Sequence, residues 1–186
     1  MDVQRFLSGN MFDAYKYMGA HPCYGGVFFR VYAPNAKKVT LTGDFNGWAD
    51  TEMNRTYPGF WEAFVSDAKV GMMYKYKVYY RDTMVEHSDP FGFACEKLPG
   101  FASIICDTES YKFTDEKWMQ NRTDCKNAPL NIYEVHAGSW QKNGDSYYTY
   151  RELADRLIPY VKKAGYNYIE FMPLSEYPCD SSWGYQ

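Results

Sequence analysis

Between Gly26 and about Ile105, apolar and polar positions alternate with the two-residue period of half-buried strands, in the runs GVFFRVYAP, KKVTLTG, WEAFVSD and MYKYKVYY. Glycine and asparagine interrupt these runs at GDFNG and YPGF, where tight turns use backbone conformations that most residues resist. Pro34 closes one strand. Short strands at this spacing predict a β-sandwich. An irregular tract, SDPFGFACEKLPGFASIICD, follows. A polar stretch from Thr114 to Ala128, with a short helix expected around Glu116 to Gln120, then reads as a connector.

After Pro129 the period changes. LNIYEVHAGSW, YRELADRLIPYVKKAGY and NYIEFMPLSEYP read as strand, helix and strand, one βαβ unit. In the middle piece Leu153, Leu157, Tyr160, Val161 and Ala164 fall on one helical face, with the charged residues largely elsewhere. Thr149 or Tyr150 begins this helix and Gly165 stops it. Pro159 inside it should kink the helix or remove a hydrogen bond. One such unit cannot bury both faces of its sheet, so the segment after Pro129 is expected to be labile unless it docks on the sandwich.

Composition adds one departure from ordinary globular usage. Hydrophobic residues make up 46% and charged residues 23%, as in a chain with a packed core, but aromatics reach 19%. Flat apolar rings with polar edges suit both a β-rich core and stacking against sugars. The formal net charge of −3 comes without clustered Lys and Arg, which argues against nucleic acid as a partner. The cysteines, at 23, 95, 106, 125 and 179, are odd in number and form no CxxC pair, so neither a zinc site nor a full disulfide set is expected. A reducing, cytoplasmic compartment fits that usage. No apolar run approaches the ~20 residues of a membrane span, and the opening residues lack the apolar core of a signal peptide.

Several segments together are specific enough to identify a family. DAYKYMGAHP, FFRVYAPNAKKVTLTGDFNGW, SDPFGF, NIYEVHAGSW, YRELADRLIPYVKKAGYNYIEFMPL and SSWGYQ stand in the order found in bacterial glycogen branching enzymes of the α-amylase superfamily, and the sequence resembles the amino-terminal part of those enzymes over most of its length. GDFNGW alone occurs in many glucan-associated sandwich modules. YEVHAGSW followed by YRELADRLIPY and WGYQ is far more specific.

The resemblance implies a mainly β chain, in which an immunoglobulin-like β-sandwich of carbohydrate-binding type precedes the first βαβ unit of an incomplete (β/α)8 barrel. Residues 1–24 form an N-terminal segment, 25–110 the sandwich, 111–129 a connector and 130–186 the start of the barrel. A complete barrel needs roughly 250 residues, so the chain is expected to be truncated. In the family the aspartate nucleophile, the glutamate acid/base and a third aspartate lie on later strands. No catalytic residue, metal or cofactor is therefore assigned. The implied partner is an α-glucan, cut at α-1,4 bonds and rejoined through α-1,6 bonds by the parent enzyme. A debranching relative with the same plan, or a sandwich that binds glucan or only docks domains, are the alternatives.

Candidate contacts follow from these motifs. Trp48 could stack on a glucose face, with Asn46 and Lys75 offering hydrogen bonds, or fold back to fix its turn. Relatives place a second aromatic shortly after the YKY strand, but here the sequence reads YYRDTMVEH. Tyr185 is implied beside the sugar whose bond is cleaved, with Trp183 and Gln186 shaping the loop. Ser181 stands where the family commonly has glycine. Glu134 and Glu170 lie within expected strands and are read as structural ion-pair residues rather than catalytic ones. His136 is read as supporting a strand end, and His21 and His87 as turn residues.

Overall fold

The alternation along the first half becomes two facing antiparallel sheets. The computed structural model describes residues 1–186 except 123–125, 176, 178, 180, 181 and 186, and the chain divides into two compact units, Met1–Thr114 and Asp115–Gln186. The first unit begins with a short helix α1 (Val3–Leu7), followed by β1 (Gly19–Cys23), β2 (Gly26–Tyr32), β3 (Lys38–Gly43), β4 (Thr51–Glu52), β5 (Asn54–Tyr57), β6 (Phe60–Val65), β7 (Met73–Tyr80), β8 (Thr83–His87), β9 (Ala94–Cys95) and β10 (Ser103–Ile104). One sheet has the order β1-β2-β6-β5 and the other β4-β3-β7-β10-β9, with β8 pairing β7 as well.

Side chains from both sheets meet in one core. Val27, Phe29 and Val31 of β2 point inward, as do Leu41 and Val39 of β3, Trp61 and Ala63 of β6, and Tyr74, Tyr76 and Val78 of β7. Lys75 and Lys77, which alternate with those tyrosines, therefore lie on the outer face of the second sheet. A smaller cluster lies on the other side of the first sheet, where Phe6 of α1 meets Tyr32 and Phe60 edge-on at 5.3 and 5.2 Å. The N-terminal segment thus covers one end of that outer face.

Two histidines depart from expectation. His21 lies inside β1 and His87 closes β8, so neither is a turn residue. GAHPC shows no apolar alternation, yet it pairs with β2 through a hairpin whose turn is Tyr24 and Gly25, the latter at φ 84°. Cross-strand pairing to a strong neighbour, not local pattern, makes β1.

The second unit contains α2 (Glu116–Asn121), β11 (Ile132–Val135), α3 (Ala137–Trp140), β12 (Lys142–Asn143), β13 (Ser146–Tyr147), α4 (Tyr150–Lys163) and β14 (Tyr168–Phe171). β11 and β14 are parallel neighbours joined through α4, the expected βαβ arrangement, while α3 and the β12–β13 hairpin are inserted before α4 without a clear sequence signal. The Thr149 hydroxyl caps α4 by accepting from the Glu152 N–H at 3.4 Å, and the Glu152 carboxylate accepts from the Thr149 N–H at 2.8 Å. α4 continues through Pro159 and ends before Gly165, which takes φ 84°. Leu153, Leu157 and Val161 pack on Val135. No helix among the described residues is long and apolar enough to cross a membrane.

Candidate functional site

The GDFNGW turn is built by its own polar side chains. Asp44 to Asn46 form a single 3-10 turn after β3, and Gly47 and Trp48 both take left-handed backbone conformations, at φ 61° and 63°. For a residue with a bulky side chain that conformation is strained by about 1–2 kcal/mol. Two bonds hold it: the Trp48 N–H donates to the Gly43 carbonyl at 2.9 Å, and its indole Nε1–H donates to Asp44 Oδ1 at 3.0 Å. Asp44 Oδ2 also accepts from the Met73 N–H at 2.8 Å and so ties the turn to β7. Glycine is required at position 43, because a Cβ there would collide with the Met73 carbonyl oxygen.

Asn46 belongs to this scaffold. Its amide oxygen accepts from the Gly43 N–H at 2.9 Å, and its amide nitrogen donates to the Leu41 carbonyl at 3.2 Å and the Thr51 hydroxyl at 2.9 Å. With both amide hydrogens committed, the hydrogen-bonding capacity left for a ligand is the second lone pair of the amide oxygen.

Trp48 and Lys75 do come together. Trp48 is 39% exposed, and the Lys75 ammonium lies 5.8 Å from its ring centroid. The same ammonium lies 3.6 Å from the ring centroid of Phe101 and 3.5 Å from Glu86 Oε2. Phe101 is half exposed and comes from the irregular tract before β10. Two aromatic rings thus flank one cation. Phe101 reaches Lys75 through a tertiary contact, which no local pattern reveals. Asp44 did leave a signal, as an acid four residues before a turn tryptophan.

Beside the cation, Asp50 accepts from Lys77 Nζ at 2.7 Å and from the Tyr79 hydroxyl at 3.0 Å. The Lys77 bond is the main reason its carboxyl sits below the usual range. Inside the sandwich the SDPFGF aspartate, Asp89, is buried and accepts from the hydroxyls of Tyr74 and Tyr76 at 2.7 and 3.1 Å and from the Phe91 N–H at 2.8 Å. Burial raises its carboxyl above the usual range, opposed by those bonds. This motif is a core support.

In the second unit a cleft of about 550 Å3 lies at the carboxyl ends of β11 and β14, lined by residues that include His136, Tyr147, Tyr148, Leu153 and Tyr177. His136 pairs through Nδ1 with the Ser139 hydroxyl at 2.9 Å and through Nε2 with the Tyr177 hydroxyl at 3.4 Å. Trp183 meets the His136 ring edge-on at 5.9 Å and is 61% exposed. Tyr185 is 70% exposed and does not line the cleft. Gly184 takes φ 86° against Pro173 and Tyr177, where a Cβ would clash. Gln186 and Ser181 fall outside the described residues. Such carboxyl ends of parallel strands are where α/β folds assemble ligand sites.

Glu134 and Glu170 stand opposite each other in the parallel register, and both are exposed. Neither enters an ion pair among the described residues. The reason is geometric. α4 covers the face of Tyr133, Val135 and Ile169, and the face carrying the two glutamates has no covering element in this unit.

Known proteins match both units. Residues 17–92 match the family Carbohydrate-binding module 48 (Isoamylase N-terminal domain). The 1,4-alpha-glucan branching enzyme GlgB of Francisella philomiragia is 43% identical over all of this chain, and that of Synechococcus elongatus 40% identical, the chain spanning 31% and 28% of their respective lengths. Among solved structures, a Salmonella typhimurium protein described as an alpha amylase superposes with a TM-score of 0.70 at 25% identity, over 91% of this chain and 26% of its own. Residues 17–92 are therefore similar to carbohydrate-binding module 48, and the whole chain is similar to the N-terminal part of 1,4-alpha-glucan branching enzymes.

Proposed function

We propose that this chain is the glucan-engaging N-terminal part of a 1,4-alpha-glucan branching enzyme, and that it makes α-1,6 branches only together with a complete barrel. The observation that carries the reading is the whole-chain identity to enzymes of that name. In this reading the sandwich brings a glucan chain onto the Trp48, Lys75 and Phe101 cluster. The indole and phenyl faces stack on the apolar faces of glucose units, and the ammonium donates to their hydroxyls. Glu86 and the two π faces surround that ammonium. The second unit forms the first βαβ unit of the (β/α)8 barrel, and Trp183, Tyr185 and Gln186 contribute to its sugar subsite. Catalytic carboxylates come from strands beyond these, so the parent's retaining chemistry is not expected of this chain.

The strained turn favours a ligand role for Trp48 over a purely structural one, because glycine would satisfy the same backbone with less strain. Trp48→Gly should abolish most retardation by glycogen in a native gel while leaving thermal stability unchanged or raised. Unaltered retardation, or a large loss of stability, would contradict the assignment. A branching assay on the purified chain should show no turnover, and measurable turnover would contradict the placement of the catalytic groups outside it.

A further inference from the structure

The first sheet carries a second groove, on the side of the sandwich away from Lys75. It encloses about 510 Å3 and is lined by residues that include Val3, Tyr17, Arg30, Thr56, Tyr57 and Glu62. Arg30 of β2 and Glu62 of β6 sit directly opposite each other in the antiparallel register and form an ion pair on the groove floor. Arg30 Nη1 donates in addition to the Tyr17 carbonyl at 3.4 Å, which fixes the guanidinium plane. The side chains remain 29% and 30% exposed, and Nη2 of Arg30 and Oε2 of Glu62 take no partner among the described residues. Tyr17 and Tyr57 form half-exposed aromatic walls at 36% and 41%. Along the same face of β2 the Phe28 ring lies under the guanidinium at 4.9 Å and packs on Phe64 at 5.0 Å.

We infer that this groove is a second α-glucan site, independent of Trp48. The inference rests on the glucan reading proposed above. The chemistry selects the occupant. A sugar ring offers an apolar C–H face to an aromatic wall and paired hydroxyls at its edge, and a preformed guanidinium–carboxylate pair supplies both a donor and an acceptor to such a pair. A polyanion would meet the Glu62 carboxylate, and an apolar segment would strand the ion pair without water, so both are disfavoured. Because the Trp48 cluster and this groove lie on opposite sheets, they would hold different chains, or distant parts of one branched chain. Each engagement then raises the local concentration for the other.

The test is a titration of the 15N-labelled chain with maltoheptaose. In the Trp48→Gly variant the Arg30 Nε–H and Tyr57 amide signals should still shift to saturation. Adding Tyr57→Ala should weaken that binding by between about twofold and tenfold. Glu62→Gln, which keeps the shape of the floor, should weaken it too. If the Trp48 indole signal of the wild-type chain moves but the Arg30 and Tyr57 signals do not, the second site is overturned and the glucan reading stands. If neither set moves, the glucan reading fails and the inference falls with it. Equal shifts with cellohexaose would overturn the assignment to α-linked chains.

Discussion

The two units spend the same kinds of residue on different degrees of closure. In the first, two sheets face each other and Phe29, Leu41, Tyr74 and Tyr76 are fully buried between them. In the second, α4 covers one face of β11 and β14, and four buried residues, Val135, Leu153, Leu157 and Val161, make its core. The other face exposes Ile132 and Tyr168 at 46% and 41%, beside the glutamate pair. A parallel pair of strands is stable when covered on both sides. The sandwich therefore carries its own stability, whereas the βαβ unit leaves apolar surface and like charges uncovered on one sheet face.

Asp89 gives the sharpest way to break the closed unit. Asp89→Ala would leave two buried tyrosine hydroxyls and the Phe91 N–H without an acceptor, and should lower sandwich stability by about 3 kcal/mol in urea titration. A change below about 0.5 kcal/mol would mean that the core does not depend on this carboxylate. Its protonation carries a sign as well. The folded state holds the Asp89 proton to higher pH than the unfolded chain does, so this group favours folding most in acid, below the unfolded pKa, and that contribution is lost as pH rises through the folded value. Asp89→Asn should flatten that part of the stability profile.

A smaller effect tests the open unit. Thr149→Ala removes the helix cap and should cost about 1 kcal/mol, read by fluorescence of Trp140, which donates its Nε1–H to the Tyr133 hydroxyl at 2.9 Å beneath α4. The sandwich should not respond. A loss of sandwich stability in this variant would show that the two units unfold together.

What the sequence reveals follows the range of the forces involved. The strands β2 and β7 are legible because one face of each is buried and the side-chain period is strict, and β3 and β6 from short runs rich in β-branched and aromatic residues between turn signals. α4 is legible from its apolar face, with Thr149 and Gly165 at its ends. β1 is not, since its pairing to β2 overrides a sequence containing His21 and Pro22. The candidate site divides in the same way. Trp48 and Lys75 are legible as candidates from turn and strand patterns. Phe101 is not, because it reaches Lys75 through the tertiary path of an irregular segment, and only the folded turn shows where the Asn46 amide hydrogens go.

Hydrogen exchange on the intact chain tests the difference between the units most directly, since it reads the free energy of opening strand by strand. Amides paired between β3 and β7 should exchange only on global unfolding of the sandwich, and those of β11 and β14 should exchange at least about a hundredfold faster, a gap of about 2.7 kcal/mol. Equal protection in the two sheets would contradict the account, because it would mean that the βαβ unit is as closed as the sandwich.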